Sequence, residues 1–241
     1  MRLDVYLSSN GFAESRQKAQ RMIDEGSCEV NGRIIKKASF DVNDRDSVKI
    51  IGETLRYVGR GGLKLEGALS YFGIDVKSFV CVDVGASTGG FTDCLLQKGA
   101  SKVYAIDCGY GQLHPKLLSD ERVVNIERFN ARELTPSTLG ELVDIAVADV
   151  SFISQTTLHS AVASVLKKGG MFVTLIKPQF EAGKQYVKKG GIVKDRSVYP
   201  SVIEKVKLSC ASNGMAFVKV TESPVKGGDG NTEFIAYFLK E

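Results

Sequence analysis

Between residues 79 and 178 the chain passes through five apolar stretches, each reaching a polar residue as it ends: FVCVDVG (79–85), KVYAIDCG (102–109), RVVNIE (122–127), VDIAVAD (143–149) and MFVTLIKP (171–178). Helical patterns at 62–72, 90–98, 155–167 and 199–213 are interleaved with them. A strand that is apolar along its whole length is buried on both faces, and alternation with helices makes such strands parallel. Two further stretches, FVKVTESP (217–224) and TEFIAYFLK (232–240), are joined by the glycine-rich VKGGDGN with no helix between them. The final strand is therefore expected to be antiparallel, giving five parallel strands and a terminal hairpin. No internal repeat interrupts this order.

Residues 1–51 read differently. Leu3 and Leu7 share one face of a short helix that Gly11 ends. Ala19, Met22 and Ile23 mark a second helix within 13–24. CEVNGRII reads as a strand, an Asn31-Gly32 turn and a second strand, and DSVKII as a third. About 50 residues bury only a small core, so this is a compact satellite α+β module. The expected division is 1–51 for the module, 52–60 for a linker and 61–241 for the large α/β domain.

No apolar run approaches the roughly 20 residues of a membrane-spanning helix. MRLDVYLSSNG lacks the apolar centre of a secretory signal, so a cytoplasmic location is expected. The five cysteines include no CxxC pair, which argues against a disulfide framework and against a metal site. Cys81 and Cys108 lie in strand-like runs and are expected to be buried. A net charge of +4 permits a nucleic-acid partner without requiring one.

The first strand leads into Gly85-Ala86-Ser87-Thr88-Gly89-Gly90 and then a helix. A dinucleotide fingerprint has glycine where Ser87 stands, and a phosphate-gripping loop needs Gly-Lys-Ser/Thr, which is missing. A nucleoside cofactor without phosphates fits better, and S-adenosylmethionine is the common one. Asp107, ending the second strand, is placed to accept ribose hydroxyls, as it would be for a dinucleotide too. Asn130, after the third strand, is placed to meet an adenine. Asp83 and Asp107 have an alternative reading as helix caps.

Ligands of open parallel sheets bind outside the carboxyl ends of the strands. Asp149 and Lys177 end the fourth and fifth strands there, the last loop delivers Glu233, and Lys64 lies early on the preceding helix. A lysine ending an apolar strand is costly unless paired. The chemistry this set suits is methyl transfer to a weakly acidic oxygen, with a lysine as base and carboxylates holding the lysines. Two histidines, His114 and His159, leave little for histidine chemistry. Asp149-Val150-Ser151-Phe152 lacks both the Asp-Pro-Pro-Tyr pattern of adenine amino methylation and the nearby cysteine of pyrimidine carbon methylation.

The pattern RLDVYL, SR, MI and VNG in 1–51 resembles the alpha-L RNA-binding module, and residues 59–241 resemble FtsJ-like methyltransferases. With GRGGLKLEGAL, DVGASTGGFTDCLL, DVSFIS, KPQFEAG and GGDGNTEF, the whole chain is similar to the TlyA family, often labelled haemolysins. The resemblance implies a Rossmann-like class I sheet. It also implies an S-adenosylmethionine-dependent 2′-O-methyltransferase of ribosomal RNA, typically at cytidine, with the RNA or a ribosomal subunit as partner. Lys64, Asp149, Lys177 and Glu233 match that family's catalytic tetrad, with Lys177 as base. Asp83, Gly85, Ser87, Asp107 and Asn130 then line the cofactor pocket, together with Ala86, Gly89, Gly90, Phe91 and Asp149. A pore-forming haemolysin and a non-catalytic RNA-binding protein are the alternatives. The absence of a spanning segment speaks against the first, the intact tetrad against the second.

The module holds nine Lys/Arg and eight Asp/Glu in 1–51, so distribution matters more than net charge. Arg16, Lys18 and Arg21 share the second helix, and Arg33, Lys36 and Lys37 follow the hairpin turn. These six are the candidate RNA contacts. GKQYVKKGGIVKDR (183–196) is a basic loop that could clamp substrate, with Phe180 and Tyr186 as stacking candidates.

Overall fold

The computed structural model describes the chain apart from residues 14, 25, 44, 51–55, 189 and 228–229 and the side chains of Lys18 and Arg21. It comprises two compact units, Met1–Leu55 and Arg56–Glu241.

The first unit contains α1 (Leu3–Ser9), α2 (Arg16–Asp24), β1 (Cys28–Val30), β2 (Arg33–Ile34) and β3 (Val48–Ile50). The strands form an antiparallel sheet in the order β2-β1-β3. Asn31 and Gly32 both take positive φ, as the two-residue hairpin turn requires. Leu3, Leu7, Ala19, Ile23, Cys28 and Val30 make the core. The second helix begins at Arg16, later than the apolar pattern suggests. The amides of Phe12 and Ala13 still bond to Leu7 O, so the chain is closing off α1 there. Asp4 is fully buried and accepts from Arg2, Arg16 and Gln20. The Arg2 bond, foremost among these, holds its carboxyl far below the ordinary range, against the cost of burial.

Residues 52–55 of the expected linker lie outside the described residues. Its far end does not behave as a linker: Tyr57 is 1% exposed and packs in the core of the second unit.

The second unit contains α3 (Gly61–Phe72), β4 (Val80–Val84), α4 (Gly90–Gln97), β5 (Lys102–Ile106), α5 (Pro115–Leu118), β6 (Val123–Ile126), α6 (Pro136–Leu139) and β7 (Val143–Ala148). Then follow α7 (His159–Val165), β8 (Leu166–Ile176), α8 (Pro178–Glu181), α9 (Tyr199–Ala211), β9 (Met215–Glu222) and β10 (Phe234–Lys240). The sheet order is β6-β5-β4-β7-β8-β10-β9. The first five strands are parallel, and β10 runs antiparallel to both of its neighbours. This is the expected sheet, with the last strand inserted between β8 and β9. Alternate residues face opposite sides. Val82, Val84 and Phe172 pack toward α7 and α9, whereas Cys81, Val173 and Leu175 pack toward α3 and α4.

Two local expectations fail. The helix expected over 155–167 is a 3₁₀ turn (Gln155–Leu158) followed by the short α7, because Leu166 already pairs with Val143 at the start of β8. Cys108 is exposed. Strand β5 ends at Ile106, and Asp107 accepts from the Gly109 amide at 2.7 Å, turning the chain out of the sheet.

Candidate active site

The carboxyl ends of β4, β5, β7 and β8 open on one edge of the sheet. The turn after β4 is built for close approach. Gly85 has φ +84, and a Cβ there would lie 2.9 Å from Asp149 O. Ser87 is also left-handed (φ 49), and its amide donates to Asp107 Oδ2 at 2.8 Å. Asp107 thus bridges the turns after β4 and β5 with its two oxygens. Ala86 and Gly89 are buried within the turn. Gly90 packs against the backbone of Gly59–Gly62, and the Phe91 ring lies in the core beside Gly61. Asn130 is exposed and caps the turn Ala131–Glu133 through the Arg132 amide.

Asp83 is fully buried. Its Oδ2 accepts from the Thr92 amide at 2.9 Å and the Thr92 hydroxyl at 2.7 Å, which caps α4. Its Oδ1 has no hydrogen-bond partner among the described residues. Burial pushes this carboxyl up to about 7; the Thr92 hydroxyl opposes the shift and the nearby Asp149 charge adds to it. Capping of α4 therefore occupies Oδ2 alone.

The four charged residues form two ion pairs. Lys64 on α3, 8% exposed, donates to Glu233 Oε2 at 2.6 Å. Lys177, 9% exposed, has its Nζ 2.6 Å from Asp149 Oδ1 and donates to Ser151 Oγ at 2.7 Å. One member of each pair flanks the β8–β10 ladder, Lys177 just after β8 and Glu233 just before β10. The β8–β10 ladder pairs Ile176 with Phe234, so Lys177 and Glu233 are the next residues across it.

Beside Lys177 lies an open recess of ≈ 430 Å³ lined by Phe152, Ile153, Ser154, Gln179, Phe180, Gly183, Lys184 and Val187. Phe152 is 89% exposed and left-handed (φ 67), and its ring centroid lies 5.4 Å from that of Phe180. Ser151, Phe152 and Glu181 are site residues that pattern reading passed over. An aromatic inside a polar post-strand loop was the available signal.

In the first unit Arg16 Nε is bound to Asp4, and Arg33, Lys36 and Lys37 are exposed. Lys18 and Arg21 lie on α2, with side chains outside the described atoms.

Residues 57–240 match the family model for FtsJ-like methyltransferase, and residues 1–48 match that for the S4 domain. Over 99% of its length the chain is 42% identical to 88% of a protein of Mycobacterium tuberculosis named 16S/23S rRNA (cytidine-2'-O)-methyltransferase TlyA. The chain belongs to the TlyA family of FtsJ-like methyltransferases. It is also 44% identical, over 99% of its length and 100% of the relative, to Hemolysin A of Brachyspira hyodysenteriae. A solved structure of a candidate hemolysin from Streptococcus thermophilus superposes with a TM-score of 0.80 at 42% identity. That match covers 100% of this chain and 88% of the other.

Proposed function

We propose that the chain is an S-adenosylmethionine-dependent methyltransferase acting on the ribose 2′-hydroxyl of cytidine in ribosomal RNA. The observation that carries the reading is the pair of largely buried lysine–carboxylate contacts on the rim that also bears the glycine turn. Burying two such pairs is costly unless the site uses them. The cofactor's own fit rests on Asp83: a buried acceptor with one oxygen unpartnered among the described residues suits a cationic donor such as the cofactor's amino group. Asp107, with Ser87 in the turn, provides the ribose end, and Asn130 the adenine end. Bound there, S-adenosylmethionine supplies an electrophilic methyl on a sulfonium.

The chain's residues then act on the RNA. A ribose hydroxyl barely ionises at neutral pH, so its proton must leave as the oxygen reacts. Lys177 orients the hydroxyl and receives that proton at Nζ. Asp149 and Ser151 fix Nζ in place, and the Lys64–Glu233 pair holds the adjacent rim. The exposed Phe152 ring and the half-buried Phe180 ring offer a stacking slot for a base turned out of its helix. The S4 module supplies phosphate contacts from Arg16, Lys18, Arg21, Arg33, Lys36 and Lys37, and the substrate is presented as ribosomal RNA within a subunit. The described residues include no helix long and apolar enough to cross a membrane.

Tritiated methyl transfer to ribosomal subunits lacking the modification tests this, with the product digested to nucleosides. Label is expected in 2′-O-methylcytidine, and Lys177→Ala is expected to abolish it while the cofactor still binds by calorimetry. Label in a base-methylated nucleoside, or a fully active Lys177→Ala enzyme, would sink the assignment.

A further inference from the structure

Glu181 is a buried carboxylate that takes no part in the reaction above. It ends α8 and is 7% exposed. Its Oε1 accepts from the Gln155 amide at 2.7 Å. Its Oε2 accepts from Ser154 Oγ at 2.6 Å and from Lys205 Nζ, on α9, at 2.8 Å. Lys205 donates in addition to the Glu181 carbonyl at 3.1 Å. A buried carboxylate persists only where its oxygens are satisfied, and here the neutral donors come from a single loop.

That loop is the one carrying Ser151 and Phe152. Glu181 itself belongs to the segment carrying Lys177 and Phe180. It therefore ties one wall of the recess (Phe152, Ile153, Ser154) to the other (Gln179, Phe180, Lys184). Phe152 needs such a tie. A bulky residue holds a left-handed backbone only where its surroundings fix it, and an 89% exposed ring draws little support from packing. The two residues bound by Glu181 lie two and three positions beyond it.

We infer that Glu181, braced by Lys205, is a positioning residue that holds Phe152 opposite Phe180 and keeps Ser151 on Lys177, so that a cytidine seated in the slot presents its 2′-hydroxyl to Lys177. The inference rests on the proposed reaction.

The test compares wild type, Glu181→Gln, Phe152→Ala, the double variant and Lys205→Met on ribosomal subunits lacking the modification. Steady-state rates and cofactor affinity by calorimetry are the readouts. Glu181→Gln is expected to lower kcat on the order of 10- to 100-fold, as small misplacements of reacting groups do, with cofactor affinity unchanged. The double variant is expected to be no slower than the slower single variant, because both changes act on one slot. Losses that multiply, or wild-type kcat in Glu181→Gln, overturn the inference. Should Glu181→Gln lose cofactor binding through misfolding, Lys205→Met decides, since it keeps the carboxylate and its Ser154 and Gln155 bonds. A lowered kcat with intact cofactor binding supports the brace, and an unchanged kcat overturns it. A wild-type enzyme that transfers no methyl refutes the underlying reaction instead.

Discussion

Asp83 Oδ2 is committed to Thr92, while Oδ1 is buried without a partner among the described residues. With its carboxyl pushed up to about 7, the residue is largely neutral at pH 6 and largely ionised at pH 8. A cationic cofactor favours the ionised form, so its binding releases a proton below that pH. Cofactor Kd is expected to fall roughly tenfold per pH unit as pH rises toward 7, then to level off. In Asp83→Asn the Kd should be weaker and flat. Calorimetry at pH 6, 7 and 8 checks this, and a pH-independent wild type would remove Asp83 from the cofactor's cation. At this scale the sequence marked an acid at a strand end. It could not show the division of labour, because Thr92 is brought to Asp83 by the packing of α4 on the sheet.

Backbone meets backbone closely where α4 starts. A Cβ on Gly90 would lie 3.0 Å from Gly62 N, 3.2 Å from Gly59 O and 3.3 Å from Gly61 Cα, all backbone at the start of α3. Backbone cannot rotate aside as a side chain can, so Gly90→Ala must push α3 away and carry Lys64 with it. A loss of about 1–3 kcal/mol by urea denaturation is expected, with lower transfer activity. Wild-type stability and rate together would show that α3 is free to shift without consequence. The convergence of Lys64, Asp149, Lys177 and Glu233 was legible, since the ends of apolar strands are easily read. Their partners were not. Which lysine meets which carboxylate depends on β10 entering beside β8, a pairing between residues far apart in sequence. Glu181 was hidden for a related reason: its partners lie on a separate loop and on α9.

Across the whole molecule two buried groups set opposing pH slopes. Between 3.8 and about 7 the folded chain keeps the Asp83 proton that the unfolded chain has lost, so stability falls as pH rises. His159 is fully buried against Ser209, Cys210 and Phe172, and burial lowers it from 6.5 to about 4. Between those values the unfolded chain binds the extra proton, so stability rises with pH. In cofactor-free protein the two slopes cancel over about pH 4 to 6.5, each being at most about 1.4 kcal/mol per pH unit. Denaturation midpoints across that range should be nearly flat for wild type. They should rise with pH in Asp83→Asn and fall in His159→Phe. Matching profiles in all three proteins would show that neither group is linked to folding.

The placement of β10 also bears on synthesis. It is the last strand of its sheet to be translated, yet it lies inside the order, bonded to β8 on one side and β9 on the other. Until it leaves the ribosome the parallel strands can assemble, but β8 keeps an open edge and Lys64 has no Glu233. The nascent chain can therefore hold four of its methyltransferase motifs and still lack the fourth member of its rim. An enzyme whose substrate is ribosomal RNA is made on a ribosome, and this order of assembly withholds the complete site from the particle that is still making it.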